Sequence, residues 1–412
     1  MTISFGGLLG KFLPHKIFGK TMVKVSIGLD TFGQVYWRRL KNKRLGLLAN
    51  QASVNQSLIS TKEIISDLLP DQLKVIFGPQ HGFRGEDQDN MIETDEYWDK
   101  DLNIPVYTAY GSRIDKVIDI LDNIDLLLID LQDVGARVYT FISTMLYFLK
   151  ACSERGKDVF VLDRPNPLGG EIVEGNILQP EFFSFVGPYS LPMRHGMTIA
   201  EIAYLFRDAF ELNIDINVAP LSGWKRSMLW NDTGLRWIMP SPNMPLFETA
   251  LVYPGQVIWE GTNISEGRGT CRPFELFGAP FINPIDLKKS LHAGYTEGCL
   301  LQCYSFRPTF NKWKGILCHG FMIHVLNPQI YRPYQTSLAI LKGILELYKG
   351  NFSWRKPPYE YVLDRQPVDI ITGDSSVRIK LEEENGLHCI LESCSKGGDF
   401  FLESRKPYLL YR

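Results

Sequence analysis

The groups able to do chemistry are concentrated in a few short, turn-rich stretches. Gly78-Pro-Gln-His-Gly-Phe-Arg-Gly-Glu-Asp87 carries Gln80, His81, Arg84 and Glu86 in a loop whose glycines let the backbone approach a ligand closely. Asp130-Leu-Gln-Asp133 is followed by Arg137 and Tyr139, two groups suited to ligand contact near a helix start. Asp133 is equally placed to cap that helix, and neither aspartate has companion ligands at metal-binding spacing. In Asp163-Arg164-Pro-Asn166-Pro, two prolines stiffen the backbone around Asn166, and Glu174-Gly175 follows shortly after. Arg194 and His195 stand just before a helix N-terminus, where backbone amides attract anions. Asn243 lies in Pro242-Asn-Met, and Glu260, Asn263, Glu266 and Arg268 crowd Glu260-Gly-Thr-Asn-Ile-Ser-Glu-Gly-Arg-Gly-Thr270. Paired carboxyls, one as acid and one as base or nucleophile, are what cleavage of a glycosidic bond commonly needs. Caps and salt bridges are the alternative roles for Asp163, Arg164 and Arg194, and mutual pairing of loop charges for Glu260 to Arg268.

The elements that must position these groups follow from apolar patterning. Lys24–Asp30, Arg44–Asn50, Lys74–Gly78, Pro105–Tyr110, Asp125–Asp130 and Asp158–Asp163 are short apolar runs, as for strands covered on both faces, and Asp215–Leu221 is a later candidate. Helical patterns alternate with them. Ser60 with Glu63 and Thr198 with Glu201 make capping boxes, the second opening a helix to about Leu212. Arg113–Leu121 and Tyr139–Arg155 carry apolar faces, the latter stopping at Gly156. Alternation of this kind predicts an α/β fold with a Rossmann-like, doubly wound parallel sheet, whose ligand site lies at the carboxyl ends of its strands. From about Asn231 turns dominate, and beyond Asn283 the chain predicts a smaller α+β C-terminal domain with a helix near Tyr334–Lys349.

The chain has 412 residues, beyond the roughly 250–300 at which one core stops growing, so two domains are expected, 22–255 and 256–412. A net charge of −2 gives no electrostatic case for nucleic acid. Seven cysteines, an odd number without C-x-x-C spacing, argue against a disulfide framework or a zinc site and for a reducing compartment. No apolar run is long enough for a membrane span. Met1 to Thr21 is mildly basic, interrupted by Lys11, Lys16 and Lys20, and lacks a signal-peptide cleavage pattern, so a cytoplasmic location is expected. The strand–helix units carry no G-x-G-x-x-G or Walker motif, which disfavours nucleotide cofactors.

Together, GPQHGFRG, DLQDVGARVYT, DRPNPLGG with EG, RHGMT, SPNMP and YPG–EGTNISEGRGTCRPFE, in that order, resemble the exo-β-N-acetylmuramidase family. The resemblance runs from Lys24 to the C-terminus and is densest through Pro280. It implies a site in a cleft between the two domains, release of N-acetylmuramic acid from the non-reducing ends of peptidoglycan fragments, and no metal or other cofactor. One position departs from the family pattern. Its usual loop reads G-P-E-H-G, and this chain has Gln80 where that glutamate, the leading catalytic candidate, would stand. An amide transfers no proton at neutral pH. Either another carboxyl among Glu86, Glu174, Glu260 and Glu266 serves, or the chain binds muropeptides and cleaves them slowly, in which case Gln80→Glu should raise turnover at least roughly tenfold. Muramyl sugars differ from glucosamine by a lactyl carboxylate, so at least two of Arg84, Arg137, Arg164, Arg194 and Arg268 are expected to line the cleft.

Overall fold

Seven strands build the first sheet of the computed structural model, which describes residues 25–89, 91–111 and 114–412. They are β1 (Leu45–Ala49), β2 (Leu73–Gly78), β3 (Tyr97–Asp99), β4 (Ile104–Thr108), β5 (Leu126–Asp130), β6 (Asp158–Leu162) and β7 (Ile216–Ala219), ordered β3-β4-β2-β1-β5-β6-β7. All neighbours are parallel except β3 and β4. The apolar runs are continuous because both faces are covered. Leu48, Phe77, Leu127 and Ile129 join the core on one side, and Leu47, Ile76, Leu128 and Phe160 that on the other. The sheet grows from β1 in both directions, so its topological switch lies between β1 and β5.

The two capping boxes form. Ser60 N donates to the Glu63 carboxylate at 2.9 Å and Thr198 N to that of Glu201 at 2.9 Å, opening helices Thr61–Leu68 and Ile199–Ala209. Helix Phe141–Glu154 runs behind the sheet and ends before Gly156 at φ 58°. Of the expected Lys24–Asp30 strand, the described part, 25–30, is not a strand. Ser26 makes a single bridge to Ser222, the Asp30 carboxylate then accepts from Ile27 N at 3.1 Å, and helix Gly28–Gln34 begins. Gly28 allows this, because a Cβ there would lie 2.2 Å from Asp163 N. The expectations for Met1–Lys24 and for Arg113 fall outside the described residues.

Helix Phe247–Gln256 leads to the second, smaller domain and packs on helix Pro333–Leu347, where Gly255 meets the Pro333 carbonyl. This domain has a three-stranded antiparallel sheet, β8 (Leu276–Ala279), β9 (Cys299–Phe306) and β10 (Cys318–Val325), with β10 central. The molecule is thus a two-domain α/β fold. Helix Gly386–Ser404 presents Leu387, Ile390, Cys394, Gly398 and Phe401 inward, and the tail returns to the first domain, where Tyr411 Oη donates to Asp163 at 2.6 Å. Among the described residues no helix is long and apolar enough to cross a membrane.

Candidate active site

The strand ends, the loop before helix Phe141–Glu154 and the second domain enclose one buried cavity. Gln80, His81, Tyr139, Asn243, Glu260, Arg268, Tyr359 and Glu360 line it. Past Glu260, Arg268 and Glu360 it continues into a polar space of about 230 Å³ bounded by Asp89, Glu266, Asn311 and Arg355. The cavity sits at the end of β2, one strand away from the switch point. Its loop folds back over the strand, and a Cβ at Gly78 would lie 2.2 Å from Phe83 N. The Gln80 amide is fixed at both ends: Nε2 donates to Tyr110 Oη at 3.0 Å, and Oε1 accepts from Thr140 Oγ1 at 2.7 Å. Tyr110 Oη in turn donates to Glu360 Oε2 at 2.6 Å. His81 has φ 73°, and its Nδ1 lies 2.7 Å from the Asp87 carbonyl, so that nitrogen carries the proton. Burial, then the charge of Arg268, pushes the imidazole down to about 4, leaving it neutral with Nε2 as an acceptor.

Two cavity carboxyls are driven in opposite directions. Glu260 accepts from Arg268 Nη2 at 2.7 Å and from Tyr359 Oη at 2.6 Å. Burial pushes it up, but the charge of Arg268, the Tyr359 hydrogen bond and Lys312 outweigh this and hold it below the usual carboxylate range. Glu266 backs this cluster, 2.7 Å from Lys312 Nζ and 3.4 Å from Arg268 Nε. Glu360 arrives on a tight turn in which Tyr359 N donates to Val362 O at 3.0 Å and Val362 N to Tyr359 O at 2.9 Å. The central residues Glu360 and Tyr361 have φ 45° and 67°, a conformation that normally calls for asparagine or glycine. Such a strained pair persists only where its surroundings over-determine it. Burial pushes the Glu360 carboxyl up to about 7, against the Tyr110 hydrogen bond. A carboxyl raised toward neutrality in the same cavity as one held low is the arrangement that splits acid from base duty.

Other residues expected from the sequence lie elsewhere. Arg84 and Glu86 are exposed on the loop, Arg84 stacking on Tyr97 at 3.9 Å. Glu174 borders a separate cavity of about 260 Å³ with Arg332, Tyr334 and Cys394, and burial raises its carboxyl to about 7. Asp130 and Arg164 form a bidentate pair at the switch point, with Arg164 Nη2 2.9 Å from Oδ2. Asp163 accepts from Thr198 Oγ1 and Ala200 N, so it orients a helix start. Asn166 donates to the Met197 carbonyl and Asn263 to that of Asn351. Arg194 donates to the Leu168 carbonyl, and His195 is fully buried with its Nε2 3.7 Å from Asp133. Arg137, also fully buried, donates to the carbonyls of Asn176, Leu191, Ile371 and Thr372 at 2.8–3.1 Å, a staple between the domains. Of the five arginines only Arg268 lines the cavity; Arg355, outside that pool, lines its polar extension. Tyr110 ends the Pro105–Tyr110 run, where the strand-end rule places ligand contacts, whereas Tyr359 and Glu360 were not expected from the sequence. The Tyr-Glu-Tyr tripeptide after Pro357-Pro358 was the available signal. Among the described residues no three His, Cys, Asp or Glu side chains gather as metal ligands.

A doubly wound sheet facing a second domain across a cavity that holds two buried carboxyls defines a two-domain α/β protein. Family models described as exo-β-N-acetylmuramidase NamZ, N-terminal and C-terminal, match residues 45–248 and 251–411. The chain is 42% identical over 388 residues to the peptidoglycan β-N-acetylmuramidase NamZ of Bacillus subtilis (strain 168), covering 94% of this chain and 92% of that one. Two crystal structures of DUF1343 family proteins from Bacteroides fragilis NCTC 9343 are similar. One has TM-score 0.84 at 28% identity over 95% of this chain and 100% of its own; the other has 0.72 at 26%, over 94% and 99%. This chain belongs to the exo-β-N-acetylmuramidase family.

Proposed function

We propose that this chain is a glycosidase that releases N-acetylmuramic acid from the non-reducing ends of peptidoglycan fragments, with Glu360 as proton donor and Glu260 as the charged carboxylate. The observation that carries this reading is the pair itself: one carboxyl raised to about 7 and one held ionised, in one buried cavity. The family membership and the activity named for the Bacillus subtilis relative support it. Glu360 would protonate the glycosidic oxygen as its bond to the anomeric carbon breaks. The negative charge of Glu260 would face the positive charge developing on that carbon, to which water adds as hydroxyl while its other proton restores the acid. His81, Tyr139 and Asn243 offer polar groups at fixed positions for the ring substituents, and Arg355 offers a cation for the lactyl carboxylate. The segment Asn231–Pro280 supplies Asn243, Glu260 and Arg268 to one wall, which favours a closed pocket and exolytic cleavage.

Gln80 favours a second reading, a muropeptide-binding protein with little turnover. Glu360 weighs against it, because it brings a carboxyl to the same hydrogen-bond chain through Tyr110. Incubating the purified chain with the β-1,4-linked muramyl–glucosamine disaccharide separates the two. Equimolar N-acetylmuramic acid and N-acetylglucosamine support the glycosidase; tight binding with the disaccharide left intact supports the binder.

A further inference from the structure

The turn that delivers Glu360 also serves a second cavity. Tyr361, the next residue, borders a space of about 230 Å³ with Tyr147, Phe183 and Phe185. Among the described residues, Glu360 is the one that lines both this space and the carboxyl cavity. The aromatic rings are mutually supported: Tyr147 lies 6.0 Å from Phe185, and Tyr110 lies 5.5 Å from Phe185 and 5.6 Å from Tyr361, centroid to centroid. Yet Tyr147, Phe183 and Tyr361 remain 40%, 39% and 45% exposed. Large rings clustered on one concave, water-facing wall are suited to a ligand with an apolar face and a polar rim. A pyranose has that chemistry, with C–H groups on its face and hydroxyls at its edge. Among the described residues that line it, Glu360 is the one with a charged side chain, which points to a neutral sugar.

Covalent continuity names the occupant. The leaving sugar is bonded to the oxygen that Glu360 would protonate, so it must lie beside Glu360 and away from Glu260 and Arg268. The aromatic cavity meets that condition, whereas the polar extension shares Glu260, Arg268 and Glu360 with the carboxyl cavity. We propose that the wall of Tyr147, Phe183 and Tyr361 is the subsite for the neutral leaving sugar, an N-acetylglucosamine residue stacked on these rings. This rests on the muramidase reading of the neighbouring cavity.

The test uses the full chain and its Tyr147→Ala and Phe183→Ala variants, two partly exposed positions, with Phe183→Tyr as the conservative control. kcat/KM is measured on the muramyl–glucosamine disaccharide and on methyl β-N-acetylmuramide, which has no leaving ring. The disaccharide-to-methyl ratio should fall roughly two- to tenfold for each ring removed and be retained in Phe183→Tyr. An unchanged ratio, or parallel losses on both substrates, overturns the subsite. Saturation-transfer NMR with free N-acetylglucosamine gives an independent readout, expected in the wild type and lost in both alanine variants. If the wild type hydrolyses neither glycoside, the muramidase reading falls, and the subsite then stands or falls on that saturation transfer alone.

Discussion

Replacing Glu360 with glutamine removes a proton and little else. The amide keeps the volume of the side chain and an oxygen able to accept from Tyr110 Oη, 2.6 Å away in the wild type. General-acid assistance is worth about 10²–10⁴ in rate, or about 2.7–5.4 kcal/mol of barrier. That full loss is expected for the disaccharide, whose sugar leaving group needs the proton. A p-nitrophenyl muramide leaves as a stable anion, so its loss should be much smaller. The pH dependence follows from the same group. Wild-type kcat/KM should fall as pH rises through about 7, where Glu360 deprotonates, and this alkaline limb should vanish in Glu360→Gln. Stability gives the folding control. A carboxyl raised on folding contributes stability that is fully present below its ordinary range and lost as pH rises through about 7. At pH 8 the variant should therefore melt no lower than the wild type. Equal losses on both substrates, or an alkaline limb that survives in the variant, would refute Glu360 as the acid.

Three further outcomes follow. Gln80→Glu should leave turnover unchanged or lower it, because the new carboxyl would replace the amide donor to Tyr110 and press a second acid on Glu360; a rise of roughly tenfold in kcat would instead make position 80 the missing acid. Arg268→Met should cost about 3–5 kcal/mol in urea unfolding by removing the main counter-ion of buried Glu260, and should move the acid limb of kcat/KM upward as that carboxyl loses its largest stabilising charge. Arg137→Met should lower stability by at least about 3 kcal/mol, since four backbone carbonyls lose a charged donor, while KM of the folded fraction stays within about twofold; a large rise in KM with normal stability would make Arg137 a substrate contact.

Much of the fold is legible in the sequence because its signals are local. Six apolar runs correspond to β1, β2, β4, β5, β6 and β7, and both capping boxes open helices. Strand β3 has only three residues and leaves no pattern. Helix Gly386–Ser404 is obscured by Gly397 and Gly398, which lower helix propensity yet let the helix approach Val173 and Ile177. The site divides the same way. Gln80, His81, Tyr139, Glu260 and Arg268 are visible in glycine-bearing motifs and Asn243 in a proline-rich one, and the cavity gathers them. Asp130, Asp163, Arg164 and Arg137 have the same charged character, but their partners are carbonyls, caps and counter-ions brought in from distant residues. Glu360 lies 100 positions from Glu260 and has no spacing signal, and only the folded turn brings it beside Tyr110.

The most direct test is a crystal structure of Glu360→Gln soaked with the muramyl–glucosamine disaccharide. The account predicts the muramyl ring among His81, Asn243 and Glu260, with the glycosidic oxygen within hydrogen-bonding distance of residue 360 and the glucosamine ring toward Tyr361. A muramyl ring bound elsewhere, for example in the switch-point cavity lined by Arg164 and Trp230, would contradict it.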